Sequence, residues 1–560
     1  MAELSIPLKS LFKSLLLVIV FVNGFQCTPK VQTVTSTGKA HSRGFEWANS
    51  TIYFLLTDRF YNADPTNDYK HEVKPANLRG YTGGDVKGIT KKVEEGYFTK
   101  LGVDVLWMTP LVENVAGFVD EGTGISYGFH GYWTKDWTVI DKRLGNKEDV
   151  RAMVKAAHDK GIKVIMDVVL NHTGPVTDKD PVWPADWVRT GPKCSYKDYR
   201  STIECTLVEN LPDILTNTTK EVDVPDILQQ KWKQEGRWEK EMASLDIFFK
   251  RTGYPRLPHY YIIKWITDLI VEYGIDGFRV DTAKHVEESV WKSLKKEAEY
   301  TFNMAKKKFP AEISKDACFF MLGEVYGYNA VNGALYDFGD KKVDYFANGF
   351  DALINFGFVW DARLSYGELF GKYLEARKNL KPDQYFVHYV SSHDDGNPFD
   401  KKREKVIEAG TKLLLSPGIA QIYYGDEVGR TLSADATGDA QLRSSMDWNS
   451  FGDNDKMIAL DHWQKLGVFR KNNPAVAAGD QANLAKNVFG RIYKKGKEIN
   501  KVVFGVDLPK GEKNIPVGDF FKDGDIVYDY YGKSDVRVDN GFVKISNPFP
   551  IVLIGKQPER

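Results

Sequence analysis

The sequence predicts an α/β fold. Its core is a (β/α)8 TIM barrel, interrupted by an inserted domain after strand 3 and followed by a C-terminal antiparallel β-sandwich domain. Three observations carry this. From Ile52 to about Gly479, short apolar runs alternate with stretches of helical periodicity, eight strands in all. Several of those runs end abruptly in carboxylate, His or Asn, as strands do when they open into one shared mouth. From about Gln481 the rhythm changes to short strands punctuated by Gly, Asn and Asp.

Taken in order, the chain begins with Lys9 and Lys13 ahead of the apolar run Leu15 to Val22. That run is shorter than the roughly 20 residues a bilayer span needs and fits the core of an export signal. Cys27 follows at once and resembles a bacterial lipoprotein cleavage site, with Gln26 in place of the usual small residue. The expectation is an exported protein: periplasmic, or attached to the outer membrane or cell surface through a lipidated Cys27, otherwise secreted. Residues 1–27 are read as the signal, and 28–48 as a polar tether.

The barrel is expected over 49–172 and 246–479. STIYFLLTDRF is its first strand and Asp85 to Gly102 the first helical stretch. VDVLWMTP is the second strand, and Asn146 to Gly161 a helix opening on a good N-cap. GIKVIMDVV is the third strand. The alternation then breaks into a polar stretch rich in Pro, Trp and Lys, read as a domain inserted over 173–245. A helix from His259 to Tyr273 leads to the fourth strand, GFRVD. Helix Val286 to Phe309 leads to the fifth, ACFFMLGE. A weak sixth strand near Ala352, helix Leu364 to Leu380, strand QYFVHYVSS, helix Lys405 to Leu415 and strand IAQIYYGDE complete the count. Residues 480–560 form the C-terminal domain.

Composition narrows the function. The 560 residues carry 76 basic and 76 acidic side chains, so no basic excess suggests nucleic acid or an anionic membrane as partner. Aromatics at 13% suit a large core or stacking on sugar rings. Cys194 and Cys205 lie close together in a loop-rich stretch of an exported chain and are the expected disulfide. Cys318, at the start of a strand, is expected as a buried free thiol.

The chemistry gathers at Gly274 to His285, GIDGFRVDTAKH. Arg279 and Asp281 are two apart, so on a strand both face one side, and Gly277 allows close packing. An Arg beside an Asp favours the ionised carboxylate that a nucleophile needs. Three further stretches end apolar strands in the same way: DVVLNH from Asp167 to His172, LGEV from Leu322 to Val325, and SSHDD from Ser391 to Asp395.

In this order and spacing the four stretches resemble the four signature regions of the α-amylase family, glycoside hydrolase family 13. The resemblance runs from about Ile52 to Trp448. EGRWEKEMASLDIFFKRTGYPR, ahead of the nucleophile strand, is most similar to the periplasmic bacterial branch. It implies a retaining α-glucan hydrolase acting on starch, glycogen or malto-oligosaccharides, with a 4-α-glucan transglycosylase or cyclodextrin-active enzyme as the alternative on the same residues. Retaining enzymes set two carboxylates ~5–5.5 Å apart. By resemblance Asp281 is the nucleophile, Glu324 the general acid/base and Asp394 the third carboxylate, with Arg279 holding the nucleophile ionised. His172 and His393 match hydroxyl-binding histidines. Tyr132, Trp133 and His130 belong to the HGYW motif at the reacting sugar. Asp439 and Arg443 resemble a loop pair near the same subsite, and Lys284 and His285 reach toward the leaving group.

The resemblance also implies Ca²⁺, a cation that takes six to eight oxygen ligands. One site would use Asn171, Asp213 and the backbone carbonyl of His285, with Asp226 in a second PDI motif as the alternative to Asp213. Another would use Asn62, Asp64, Asn67, Asp68, Gly83 and Asp85. The working unit is expected to be a monomer.

Overall fold

The computed structural model describes residues 45–557; the expected signal, Cys27 and most of the tether lie outside the described residues. Eight parallel strands close into a barrel: β1 Thr51–Leu55, β2 Val105–Met108, β3 Lys163–Val168, β4 Gly277–Val280, β5 Phe320–Gly323, β6 Ala352–Ile354, β7 Tyr385–His388 and β8 Ile419–Tyr423. Each strand neighbours the next in sequence, and β8 closes on β1. Six strands are buried at every position, and β3 and β7 at all but their first, because helices cover the barrel outside and side chains fill it inside. At Gly277 a side chain would stand 2.6 Å from the Phe320 carbonyl, so only glycine lets β4 lie flat against β5.

The main outer helices are α1 Val86–Glu94, α2 Lys147–Asp159, α3 Pro258–Tyr273, α4 Glu288–Lys308, α5 Tyr366–Lys378, α6 Val406–Leu415 and α7 Asn454–Asn472. Asn146 caps α2 as expected, in a reciprocal capping box with Asp149. Between β5 and β6 the chain makes only a 3₁₀ turn, Ala330–Asn332, and a ribbon, Leu335–Asp337 with Lys342–Asp344, where a barrel helix would lie.

The excursion after β3 has little regular structure at first, only the short helix Arg200–Ile203 and the two-residue ribbon Val188–Arg189 with Asp213–Ile214. Helices Asp226–Gln234 and Trp238–Thr252 then return it to the barrel. Indole packing holds it there: Trp187 stacks on Trp265 of α3 with ring centres 6.1 Å apart, and Trp183 packs edge-on against Trp187. Cys194 and Cys205 are disulfide-bonded within it. Cys318 corrects an expectation: it is half-buried and disulfide-bonded rather than a free thiol. It lies in the loop ahead of β5, outside the strand itself.

Beyond the barrel, eight antiparallel strands form one continuous sheet: β9 Asp480–Ala485, β10 Val488–Lys495, β11 Glu498–Gly505, β12 Gly511–Pro516, β13 Ile526–Asp529, β14 Ser534–Asp539, β15 Phe542–Asn547 and β16 Val552–Gly555. The order is β9-β10-β11-β16-β13-β14-β15-β12. Its two ends share one apolar core through Val503, Ile515, Val538, Val543 and Ile554. Polar composition hides β9, β12 and β14 from a sequence reading: most of β9 and β14 faces solvent, and in β12 only Lys513 and Ile515 are buried.

Gly467, inside α7, tests how tightly the barrel's outer layer is packed. Alanine would normally gain a helix about 1 kcal/mol here. A Cβ at this position would lie 2.0 Å from the Leu101 carbonyl oxygen, which is backbone and cannot swing away. Gly467→Ala should therefore cost about 2–3 kcal/mol, read as a lowered denaturation midpoint. A stabilised variant would contradict this packing.

Candidate active site

All eight strands point their C-terminal ends at one cleft, and β4 supplies its charged floor. Arg279 is 1% exposed and Asp281 6%. One guanidinium serves three carboxylates. Its Nη1 donates to Asp281 Oδ1 at 2.8 Å and to both oxygens of Asp167 at 3.0 Å. Its Nη2 stands 3.0 Å from Glu324 Oε2. Immediately after Asp281, Thr282 turns the chain in the left-handed region at φ 48°. That is costly for a β-branched residue. The turn points the Thr282 amide at Glu324 Oε2, 2.8 Å away.

Burial pushes the Asp281 carboxyl up to about 6; Arg279 opposes this, while Asp167 and Asp394 add to it. Glu324 is pushed up to about 7, first by burial, against Arg279 and with help from Asp281 and Asp394. Between these values one carboxylate is charged while its neighbour still carries a proton, which is what paired nucleophile and acid catalysis requires. Asp394 differs. Burial raises its carboxyl, but His393, Arg443 and Arg279 outweigh that and hold it below the usual range. His393 Nε2 lies 3.0 Å from one oxygen and Arg443 Nη2 2.6 Å from the other. The Asp394 side chain is 40% exposed at the mouth, so solvent screens part of this attraction.

Tyr132 lies parallel to His393, ring centres 5.3 Å apart, and its hydroxyl donates to Asp167 Oδ2 at 2.8 Å. His130 Nδ1 accepts from the Tyr132 amide, so it shapes the loop behind that ring. Trp133 meets the His130 ring edge-on, ring centres 4.9 Å apart, and packs with Val115 and Leu211 in a small cluster. His172 is 3% exposed and bonds the Tyr132 carbonyl through Nε2 at 3.2 Å. Lys284 donates to the Tyr326 carbonyl at 3.1 Å and lies 5.4–5.7 Å from the rings of Tyr196, Tyr326 and Tyr336. His285 Nδ1 is 2.9 Å from the Thr202 carbonyl. Asp439 pairs with Arg443 at 2.5 Å, as the four-residue spacing suggested.

The expected metal ligands separate into two clusters. Asp213 is brought beside Asn171 and His172, whereas Asp226 starts an outlying helix. Asp213 is 2% exposed, its Oδ2 faces Arg189 Nε at 3.2 Å, and its Oδ1 is buried without a partner. An orphaned buried carboxylate oxygen beside an amide fits an oxygen-liganded cation. The N-terminal set fits less well. Asn62, Asp68 and Gly83 converge and Asn67 Oδ1 is orphaned. But Asp64 is paired with Lys87 at 2.6 Å, and Asp85 accepts three backbone amides while capping α1. Among the described residues, no three His, Cys, Asp or Glu side chains group as metal ligands.

Sequence reasoning passed over several residues of the cleft. Asp167 opens the DVVLNH stretch and reads there as one more buried strand position. Trp107, Tyr389, Asp395 and Gln421 also line the cleft. Trp107 and Gln421 lie inside strands β2 and β8, and Tyr389 and Asp395 follow β7.

Comparison with known proteins agrees with this geometry. Residues 54–473 match the family model described as alpha amylase, catalytic domain. The periplasmic alpha-amylase of Escherichia coli (strain K12) is 32% identical over 546 residues, covering 86% of this chain and 75% of that protein. A cyclomaltodextrin glucanotransferase of Geobacillus stearothermophilus is 28% identical, covering 85% of this chain and 61% of that protein. The solved alpha-amylase of Geobacillus thermoleovorans, complexed with acarbose, superposes with a TM-score of 0.64 at 22% identity, covering 92% of this chain and all of that one.

The hold on Asp394 can be measured. Arg443→Met removes the guanidinium beside it, so the Asp394 carboxyl should titrate about one to two units higher, read by carboxyl ¹³C shift. An unmoved midpoint would leave the effect to His393 and Arg279.

Proposed function

The chain belongs to the α-amylase family and is a glycoside hydrolase; we propose that it cleaves α-1,4 glucosidic bonds of starch, glycogen or malto-oligosaccharides by double displacement. The observation that carries this is the pair Asp281 and Glu324 on one buried guanidinium, one charged and one protonated near neutrality. Asp281 attacks the anomeric carbon as Glu324 gives its proton to the leaving oxygen. Glu324 then takes a proton from water, which opens the covalent intermediate. Asp394, held charged, accepts hydrogen bonds from the sugar hydroxyls at the reacting ring. The Tyr132 ring offers that sugar an apolar face.

A second reading is transfer to a sugar acceptor. It draws on the similarity to cyclomaltodextrin glucanotransferases and on the tyrosines around Lys284, which give an acceptor sugar aromatic surface to compete with water. Reducing-end-labelled maltoheptaose, followed over time, separates the two. Shorter labelled products alone are expected; products longer than the substrate would put transfer first.

We place a calcium ion at Asn171, Asp213 and the His285 carbonyl, where it would add a tie between the inserted segment and the barrel. The N-terminal cluster around Asn62 and Asp68 is a secondary candidate. No helix among the described residues is long and apolar enough to cross a membrane. Similarity to a periplasmic relative supports export. Action as a monomer completes the reading. Chelation with EDTA should lower the thermal midpoint, and added Ca²⁺ should restore it. An unchanged melting curve would remove the metal from both clusters.

A further inference from the structure

Two excursions of the chain flank β4 and meet beside it. The inserted segment leaves after β3, and the ribbon Leu335–Asp337 with Lys342–Asp344 follows β5 in place of a barrel helix. Tyr199, in the loop closed by the Cys194–Cys205 disulfide, joins them. Its amide donates to Asp340 Oδ1 at 2.8 Å, in the turn of the ribbon. Its ring packs edge-on against Phe338, centres 5.1 Å apart, and Lys341 Nζ lies 3.7 Å from the ring centre. Its hydroxyl donates to Glu288, the first residue of α4, and Lys341 closes the circuit on the same carboxylate at 2.6 Å. One residue thus ties insertion, ribbon and α4 together. Surface ion pairs are worth little singly, but a ring held by its edge, its face and its hydroxyl keeps one orientation.

The tie sets the place of two more rings. Tyr196 comes from the disulfide loop and Tyr336 from the ribbon, and they lie 5.5 and 5.7 Å from Lys284 Nζ. Tyr196 is 52% exposed, with its backbone in the left-handed region at φ 55°. Such a conformation persists only where the surrounding loop imposes it. Lys284 lies three residues past Asp281, and Tyr326, whose carbonyl it bonds, lies two past Glu324. The tyrosines therefore stand on the side of the acid, where the leaving sugar departs. Asp394 and Arg443, beyond β7 and β8, are on the other side.

Resting on the assignment of Asp281 and Glu324 above, we propose that Tyr199 is a positioning residue for the leaving chain. By bolting the disulfide loop to the ribbon, it fixes Tyr196 and Tyr336 as the two sides of one slot. That slot sets how firmly the enzyme holds the glucose units beyond the bond it cuts. Tyr199 itself touches no sugar. Rings set in advance take up a pyranose without first losing freedom of their own. Loosening the tie therefore weakens the hold on leaving sugars and spares the carboxylates on the barrel floor.

The test compares two substrates. Maltoheptaose places sugars on both sides of the bond. α-Maltotriosyl fluoride places them on one side only, and fluoride departs as Asp281 attacks the anomeric carbon. In Tyr199→Ala the ratio of kcat/KM on maltoheptaose to kcat/KM on the fluoride should fall about tenfold, through a raised KM for maltoheptaose. Tyr199→Phe keeps the ring between Lys341 and Phe338, and should bring the ratio back to within about threefold of wild type. An unchanged ratio in a folded Tyr199→Ala would overturn the proposal. So would both rates falling together, because general damage to the fold does not choose between substrates. If that variant does not fold, Tyr196→Ala asks the same question at an exposed side chain. Its ratio should also fall, and a wild-type ratio there overturns the proposal. Wild-type enzyme that leaves the fluoride intact would be a separate failure: it would remove the α-glucan reading, and the inference with it.

Discussion

Arg279 places a full positive charge on the barrel floor, 1% exposed, where water cannot solvate it. Only the carboxylates of three adjacent strands compensate for that loss: Asp167 on β3, Asp281 just past β4 and Glu324 just past β5. Each of these would be driven toward its neutral form if buried alone. Together with the guanidinium they remain inside, poised near neutrality. The strand order β3-β4-β5 matters here, because neighbouring parallel strands bring three successive C-terminal ends within reach of one side chain.

That floor constrains the backbone around it. Gly277 lets β4 lie close against β5, which brings Asp281 and Glu324 to the same guanidinium. Thr282 adopts a left-handed turn that its side chain disfavours, and its amide reaches Glu324. Strain of this kind costs on the order of 1–3 kcal/mol and persists where surrounding packing imposes it. Here Ala283, Trp291 and the start of α4 hold the turn, with Trp291 Nε1 donating to the Ala283 carbonyl at 2.9 Å.

The walls of the cleft come from elements with less regular structure. The inserted segment is fixed by stacked indoles on α3 and by the Cys194–Cys205 disulfide. It brings Thr202 to His285, Tyr196 to Lys284 and Asp213 to Asn171. The opposite wall, around Asp394, is built from His393 and Arg443 and stays open to solvent. A dry, strongly coupled floor thus meets a wetter rim, which suits chemistry at the base and a sugar chain entering from above.

The sequence by itself determined the eight strands, their order, and the charged residues at their ends. Each of these is local: apolar runs, helical spacing and a terminal carboxylate are legible within a dozen residues. It placed Asp281, Glu324 and Asp394, and preferred Asp213 to Asp226. Tertiary structure alone decided what those residues face. That Asp167 shares the Arg279 guanidinium, that Trp133 packs on Val115 and Leu211, that Lys87 takes Asp64, and that Cys318 is bonded all depend on partners distant in sequence or set by local backbone geometry. Burial and charge pairing arise from those contacts, and no single stretch of chain carries them.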